Sequence, residues 1–197
     1  MTSKKDLFYI GIVGQIASGK GILVDYLVKK YGFIPFSLST IVHEEVKKRK
    51  ITNFNRQTLQ NIGDDLREKY GRDILARRAV EKLQSSYKSK KFFVIEGIRN
   101  QKEVAYLKSL PNSVIIGVKA KREERFRRLL TRQKPWDPKT WEEFLVIDRR
   151  DLGIGQKQSG QQVGKCLVYC DYVLLNNKDL EDFQRKADKL IKRILKL

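Results

Sequence analysis

Cysteine and histidine are scarce in this sequence. Its 197 residues include two cysteines, Cys166 and Cys170, and one histidine, His43. The cysteines are four residues apart and could share a helix face, but no second Cys/His pair is present to complete a zinc site. A disulfide is not expected in a cytosolic chain of this size. We therefore interpret both cysteines as small, partly buried side chains.

Long hydrophobic runs are also missing. No apolar segment approaches the roughly 20 residues that a helix needs to cross a bilayer. The first residues, MTSKKDLFYIGIVG, contain a short apolar run that ends in a glycine-rich turn, whereas a signal peptide needs a longer run and a cleavage site. We therefore expect a cytoplasmic protein that does not associate with a membrane.

Acidic residues are outnumbered by basic ones. The chain has 42 Lys and Arg against 23 Asp and Glu, which gives a net charge of +19. Such a field attracts polyanions, including nucleic acid, nucleotides and coenzyme phosphates, and charge alone does not choose among them. Nucleic acid is a possible partner, but no helix-turn-helix, aromatic RNA-binding strand or basic tail supports it.

Five short apolar runs alternate with amphipathic segments, which is typical of a parallel sheet covered by helices on both faces. The predicted strands are 7–13, 33–37, 92–95, 114–118 and 172–175. The predicted helices are 20–30, about 40–50 (capped by Ser39 or Thr40), 74–87, 122–132, 141–150 and 180–195. Helical spacing also runs through Leu59, Ile62, Leu66 and Tyr70, and Val104 and Leu107 belong to a short helix that stops before Pro111. The polar, glycine-rich segment 152–165 is predicted to be a loop. The pattern predicts one three-layer α/β domain over 1–197, with a central, mostly parallel five-stranded sheet.

The segment 14–20 (GQIASGK) matches the phosphate-binding pattern G-x-x-x-x-G-K. It follows an apolar strand and precedes a helix, which is where this loop must lie if backbone N–H groups and the helix N-terminus are to surround phosphate oxygens. Lys20 can then reach the β- and γ-phosphates. The motif predicts a P-loop NTPase fold that binds ATP. The predicted ATP-binding residues are Gly14, Gln15, Ile16, Ala17, Ser18, Gly19, Lys20, Gly21 and Ile22.

The loop departs from the usual pattern in one respect. Gly21 and Ile22 follow the lysine, so no hydroxyl stands where a Ser or Thr normally binds Mg²⁺. We expect Mg²⁺ to be held through water, by phosphates, and by an acidic side chain elsewhere. A P-loop protein that binds nucleotide without turning it over is the alternative.

Four further segments extend the pattern along the chain: 56–63 (RQTLQNIG), 66–71 (LREKYG), 94–100 (VIEGIRN) and 170–177 (CDYVLLNN). Together with the P-loop, they resemble the adenylate-kinase-like group of nucleoside and deoxynucleoside monophosphate kinases, and they are also similar to dephospho-coenzyme A kinases. The resemblance implies phosphoryl transfer from ATP to a small phosphorylated acceptor, most readily a (deoxy)nucleoside monophosphate. It also implies a helical acceptor-binding region over 38–90 and a helical lid over 119–151.

The resemblance implies roles for acceptor-site residues. Glu96 ends the third strand and would support Mg²⁺ through water or activate the acceptor. Arg99 would bind the acceptor's phosphate, which its guanidinium group matches in shape. Arg56 and Arg67 are eleven residues apart, about three helical turns, so they can share a face and are further acceptor-site candidates.

The basic helix 122–132 resembles the lid of these kinases, whose arginines neutralise charge on the transferring phosphoryl group. Trp136 and Trp141 are interpreted as packing anchors. The predicted catalytic residues are Lys20, Glu96, Arg128 and Arg132. The predicted lid residues are Arg122, Arg125, Arg149 and Arg150, and Asn176 is a further predicted ATP-binding residue.

Two rival functions stay open at this point. In a dephospho-coenzyme A kinase the acceptor is a ribose hydroxyl, which needs a base, and Glu96 is the candidate. The positive charge would also suit a nucleic-acid-associated NTPase.

Overall fold

This computed structural model describes residues 7–87, 89, 91–134 and 137–196. The strands are β1 (Phe8–Val13), β2 (Ile34–Ser37), β3 (Phe92–Ile98), β4 (Ser113–Lys119) and β5 (Tyr172–Leu175). The helices are α1 (Lys20–Tyr31), α2 (Leu38–Lys48), α3 (Arg56–Tyr70), α4 (Ile74–Ser86), α5 (Gln101–Lys108), α6 (Arg122–Arg132), α7 (Trp141–Leu152), α8 (Val163–Val168) and α9 (Leu180–Leu195). Within the described residues, no helix is long and apolar enough to span a bilayer.

The five strands form one sheet in the order β2-β3-β1-β4-β5, and each neighbouring pair is parallel. The predicted α/β fold is therefore confirmed, and the described sheet is entirely parallel rather than mostly so. The strands after β1 first extend the sheet on one side, and β4 then pairs with β1 on the other. Ligands bind outside the carboxyl ends of parallel strands where the strand order reverses, which here is the end of β1.

Side chains of β1 alternate between two cores, as a strand's period of two requires. Ile10 and Ile12 face α1 and α9, whereas Tyr9 and Val13 face the side covered by α2 to α5. All four are buried. Burying apolar surface on both faces contributes about 25 cal/mol per Å² and makes this strand the fixed base of the glycine loop that follows it.

Helix ends are set by local sequence. Helices α3, α5 and α7 begin with capping boxes at Asn55, Asn100 and Thr140. Helices α1 and α7 end at Gly32 and Gly153, which adopt the left-handed conformation that glycine accepts without steric cost.

Helices α6 and α7 form a third, smaller core over the P-loop. Leu129 and Phe144 pack on Ile16, and Phe126 and Trp141 complete the cluster. The rings of Trp141 and Phe144 lie 5.3 Å apart, centre to centre. Trp141 thus packs as predicted, whereas Trp136 lies outside the described residues.

Three predicted boundaries were wrong. Strand β3 does not stop at Ile95 but continues to Ile98, because Glu96 still pairs with Ile12 and Ser37. The predicted loop over 152–165 includes the start of α8 at Val163, a short apolar helix whose buried face the glycines and glutamines before it obscured. Helix α2 begins at Leu38, directly after β2, rather than at Ser39 or Thr40.

Both cysteines are free, with Cys166 buried and Cys170 partly buried. Burial raises the pKa of the Cys170 thiol to about 12 and raises that of Cys166 well above its usual range. Neither thiol is activated, which agrees with the interpretation of both as packing residues.

Candidate active site

The P-loop requires glycine at two positions for reasons visible in the structure. A Cβ at Gly14 would lie 2.5 Å from the carbonyl oxygen of Val118 and 2.6 Å from the hydroxyl of Ser18. Gly19 has a φ of +106°, and a Cβ there would lie 2.1 Å from Nδ2 of Asn176. The loop therefore closes tightly against the end of β4 and against Asn176, the residue that follows β5.

The N-terminus of α1 is available to an anion. No side chain among the described residues caps this helix, and its first turn contains no acidic residue. Its first N–H groups and the partial positive charge of the helix end are the usual binding elements for a phosphate. The opposite pole is stabilised by Lys29 and Lys30 in the last turn.

Lys20 lies at the centre of this site. Its ammonium group donates hydrogen bonds of 2.8 Å to the carbonyl oxygens of Gly14 and Gln15. The pKa of Lys20 is lowered to about 8, mainly by burial and next by the positive charge of Arg99, whereas Glu96 acts in the opposite direction. A bound phosphate would raise this pKa again, because an anion favours the ammonium ion.

A cavity of about 680 Å³ opens beside the P-loop and extends over α2 and α3. The residues from Ile16 to Ile22 line one end of it. Three of the predicted acceptor-site residues, Arg56, Arg67 and Arg99, line it together with Glu96. The structure therefore brings the predicted ATP site and the predicted acceptor site to one cavity.

Arg56 carries an unpaired donor at this cavity. Its Nε atom is buried and has no hydrogen-bond partner among the described residues. Burial lowers the pKa of Arg56 to about 10, and the charge of Arg99 adds to the effect. A buried N–H without a partner is costly, so this position favours an anionic ligand that would accept its hydrogen bond.

Arg99 is held by a carboxylate that the sequence did not reveal. Its NH1 group donates to Asp151, which is fully buried near the end of α7. The second oxygen of Asp151 accepts the backbone N–H of Ile16 in the P-loop at 3.1 Å. One carboxylate therefore connects the turn after β3, helix α7 and the phosphate-binding loop.

Arg67 lines the cavity but is strongly engaged within the protein. Its Nε atom donates to Glu103 at 2.8 Å and its NH1 group donates to Asp64 at 3.2 Å. Glu103 is fully buried, and its other oxygen accepts the backbone N–H groups of Arg99 and Asn100. The Arg67–Glu103 pair thereby connects α3 to the turn that carries Arg99.

The six lid arginines fall into two groups. Arg128 and Arg132 line the cavity, whereas Arg122, Arg125, Arg149 and Arg150 are not among its described lining residues. Arg128 donates to the backbone oxygen of Asn176 at 2.9 Å, and the side-chain amide of Asn176 donates to Ser18 at 3.0 Å. Arg132 forms a bidentate pair with the buried Asp137.

Three members of the second group connect helices of the predicted lid to each other or to α3. Arg125 and Asp148 form a buried bidentate ion pair between α6 and α7, with N···O distances of 2.6 and 3.0 Å. Asp148 also accepts hydrogen bonds from Gln15 at 2.8 Å and from Arg122 at 3.3 Å. At the end of α7, Arg150 reaches α3, where it donates to Asn61 at 2.7 Å. Arg149 is exposed.

Four important residues were missed from sequence. The spacing of Asn100 and Glu103 is a capping-box signature, so Glu103 could have been found as a helix cap. Asp148 and Asp151 are three residues apart on one helix, a spacing that places both on one face. Gln161 lies in the glycine-rich segment 152–165, where no sequence pattern indicates its role.

The described residues do not form a preassembled metal site. They contain no group of three or more His, Cys, Asp or Glu side chains able to hold an ion. The carboxylates that line the cavity among them are Asp25 and Glu96. This donor set fits Mg²⁺, which commonly keeps several waters and binds through substrate phosphates plus one or two carboxylates.

Comparison with known proteins agrees with this geometry. The family model described as AAA domain matches residues 13–144. The UPF0200 protein of Hyperthermus butylicus is 32% identical over 183 residues, covering 93% of this chain and 92% of that protein. The UPF0200 protein PH1008 of Pyrococcus horikoshii is 33% identical over 187 residues, covering 93% and 96%.

Solved structures share the fold. TT1252 from Thermus thermophilus aligns with a TM-score of 0.61 at 20% identity, covering 95% of this chain and 97% of that one. A shikimate kinase from Acinetobacter baumannii, solved with shikimate, aligns with a TM-score of 0.56 at 18% identity, and the alignment covers 98% of this chain and 95% of that one. A dephospho-CoA kinase from Campylobacter jejuni aligns with a TM-score of 0.51 at 18% identity, and the alignment covers 96% of this chain and 98% of that one. The fold is thus that of P-loop kinases, and the chain belongs to the AAA-domain family and to the UPF0200 proteins.

Proposed function

We propose that the protein transfers the terminal phosphoryl group of ATP to a small phosphorylated acceptor, most readily a (deoxy)nucleoside monophosphate. The observation that carries this proposal is the shared cavity, which Lys20 of the P-loop lines together with Arg56 and Arg99. A phosphoryl transfer between two phosphates needs cationic groups for both the donor and the acceptor, close enough for in-line attack.

The reaction is an in-line displacement at the γ-phosphorus. A phosphate oxygen of the acceptor forms a bond to it while the bond to the β,γ-bridging oxygen breaks, so that ADP leaves and the acceptor gains a phosphoryl group. The acceptor phosphate is already anionic and needs little base catalysis. The chain's contribution is therefore positioning and neutralisation of charge.

Individual residues have separate tasks in this proposal. Lys20 and the amides at the start of α1 bind the β- and γ-phosphates, and Arg56 and Arg99 bind the acceptor phosphate. Arg128 and Arg132 approach from the lid and neutralise charge on the transferring group. Asn176 holds the glycine turn through Ser18. When Mg²⁺ is bound, it supplies charge neutralisation on the phosphates, and Glu96 would orient its water.

A dephospho-coenzyme A kinase activity is the second candidate. Its support is that Glu96 lines the cavity close enough to Lys20 to act on its pKa. A ribose hydroxyl would need such a carboxylate as general base, and the fold is shared with a kinase of that name.

An ATP-consumption screen tests the proposal. The purified protein is given Mg-ATP with each nucleoside monophosphate, each deoxynucleoside monophosphate, dephospho-coenzyme A or water, and ADP formation is measured. The Lys20→Met variant is the control, because it keeps the aliphatic stem and removes the charge. Turnover with a monophosphate that Lys20→Met abolishes supports the proposal. Turnover with dephospho-coenzyme A and no other acceptor overturns the proposal. The absence of turnover with every acceptor overturns it as well.

A further inference from the structure

Two glutamine side chains meet at the acceptor end of the cavity. Gln60 lies in the middle of α3, and Gln161 lies just before α8. Both line the cavity, although their exposed fractions are only 5% and 2%. Nε2 of Gln60 donates to Oε1 of Gln161 at 3.3 Å. Buried amides of this kind are kept only where their hydrogen-bonding groups are used.

Arg99 fixes the direction of this amide pair. Its NH1 group donates to Oε1 of Gln161 at 3.2 Å. A guanidinium has only donors, so the atom facing it must be the amide oxygen and cannot be the nitrogen. Gln60 must then turn its own nitrogen toward the same oxygen. The orientation of both amides follows from Arg99.

Two polar groups remain after these bonds are made. Nε2 of Gln161 is a donor, and Oε1 of Gln60 is an acceptor, and neither has a hydrogen-bond partner among the described residues. Neither atom belongs to the enclosed polar atoms that lack a partner, so both retain solvent access. At residues this buried, that access is through the cavity. The pair therefore offers one donor and one acceptor to a ligand.

The walls beside the pair are apolar. Leu38, Val42, Leu59 and Leu75 line the same cavity, and Leu59 directly precedes Gln60 on α3. Gly63, one turn after Gln60 on α3, adds no side chain between Val42 and Arg67. Apolar walls with a few placed polar groups are the usual features of a site for a small organic ligand, because the polar groups fix its orientation.

We propose that Gln60 and Gln161 bind the hydrogen-bonding edge of a nucleobase on the acceptor, with Gln161 donating and Gln60 accepting. Every common base presents a donor next to an acceptor on one edge, whereas a sugar phosphate has no such planar edge. The inference rests on the proposed function and adds which side chains recognise the base of the acceptor. Because Arg99 orients the pair, the groups that bind the phosphate and the base are coupled.

Binding measurements test this independently of turnover. The ATP site is first saturated with a non-hydrolysable ATP analogue, and titration calorimetry then compares nucleoside 5′-monophosphates with ribose 5-phosphate. We expect the preferred monophosphate to bind the wild type at least tenfold more tightly than ribose 5-phosphate. Equal affinities would overturn the inference even if the protein proves to be a kinase. Conversely, a base preference without any turnover would overturn only the proposed function.

Two variants locate the effect. Gln161→Glu keeps an oxygen for Arg99 but removes the donor, and Gln60→Met keeps the length of the side chain but removes the acceptor. Each should weaken monophosphate binding roughly tenfold more than ribose 5-phosphate binding, the effect of leaving a buried polar group unpaired. The carboxylate that Gln161→Glu places beside Arg99 acts on the phosphates of both ligands alike, so it does not alter this ratio. The matched control is Gln57→Glu, on the exposed side of α3, which should change neither.

The alternative outcomes are decisive. If Gln161→Glu weakens both ligands equally, Gln161 acts only by positioning Arg99, and the inference is wrong. If thermal unfolding shows that Gln161→Glu does not fold, Gln60→Met alone decides the question, since it introduces no charge. Unchanged monophosphate binding in Gln60→Met would then reject the assignment.

Discussion

Asp151 accepts a hydrogen bond from Arg99 with one carboxylate oxygen and from the backbone N–H of Ile16 with the other. The carboxylate is fully buried, whereas the Arg99 side chain is 22% exposed. Arg99 can therefore keep its contact to Asp151 while its outer edge faces the cavity. The same relationship means that a variant of Arg99 disturbs two things, the acceptor site and the burial of Asp151.

For this reason, Arg99→Ala should damage both stability and acceptor use. Removing one partner of a buried ion pair costs about 3–5 kcal/mol, and losing a charge-assisted contact to phosphate costs about 1.5–3 kcal/mol, or roughly tenfold to a hundredfold in kcat/KM. ATP affinity should stay near that of the wild type. The double variant Arg99→Ala, Asp151→Asn separates the effects, because it should regain stability but not acceptor use. Recovery of acceptor kinetics in the double variant would remove Arg99 from the site.

The Arg125–Asp148 pair is expected to hold the lid helices in place. Both side chains are almost fully buried, with exposed fractions of 3% and 1%. Asp148→Asn should lower the free energy of unfolding by about 3–5 kcal/mol, which corresponds to a fall in Tm of roughly 6–20 °C for a domain of this size. The matched control is Asp65→Asn, which breaks an exposed pair with Arg49 and should cost under about 1 kcal/mol.

Hydrogen exchange adds a local test of the same pair. Arg125 lies on α6 and Asp148 lies on α7, so any movement that separates these two helices has to break the ion pair. Faster exchange in α6 and α7 of Asp148→Asn than in the wild type would show that the pair controls the opening. Equal exchange rates in the two proteins would show that the aromatic cluster of Phe126, Trp141 and Phe144 holds α6 against α7 without the ion pair.

Local signals predicted much of the fold and part of the site. The order of strands and helices followed from apolar periodicity, and the P-loop from consecutive residues that act together. Asp151 and Gln161 could not be found in this way. Each acts through a partner far away in the chain, since Asp151 binds Arg99 and Ile16, and Gln161 binds Gln60 and Arg99. Such contacts depend on how α7 and the segment after it pack, and one sequence does not specify that packing through local pattern.

Because the pKa of Lys20 is lowered, we expect ATP binding to depend on pH. In the free protein its pKa is about 8, lowered by burial from the model-compound value of 10.5. Below pH 8 the ammonium group is charged in free and bound protein, so affinity should not change through Lys20. Above pH 8 the free protein loses this proton, whereas bound phosphates favour keeping it. Affinity should therefore fall as pH rises from 8 to about 10, by up to about tenfold per pH unit.

Titration calorimetry in two buffers of different ionisation enthalpy measures this effect as proton uptake on ATP binding near pH 8.5. Phosphate groups of ATP, with second pKa values near 6, are already ionised there and do not interfere. Lys20→Met should abolish the uptake. The same lysine affects folding, because between pH 8 and 10.5 the unfolded chain binds more protons, and its cost to stability should diminish as pH rises through this window.

Gly21 follows Lys20 at the position where a P-loop usually has a Ser or Thr whose hydroxyl binds Mg²⁺. A Cβ at this position would meet no described atom within 4 Å, so a side chain fits without rearrangement. Gly21→Ser should therefore add an oxygen ligand for Mg²⁺ and raise the affinity for Mg-ATP over metal-free ATP by about tenfold, the lower end of effects seen for groups that support metal binding. Gly21→Ala is the matched control, since it adds a Cβ, which should stabilise α1 by roughly 0.5–1 kcal/mol, without adding a ligand. Equal Mg²⁺ dependence in the Ser and Ala variants would show that the metal lies away from the start of α1, on the side of Glu96.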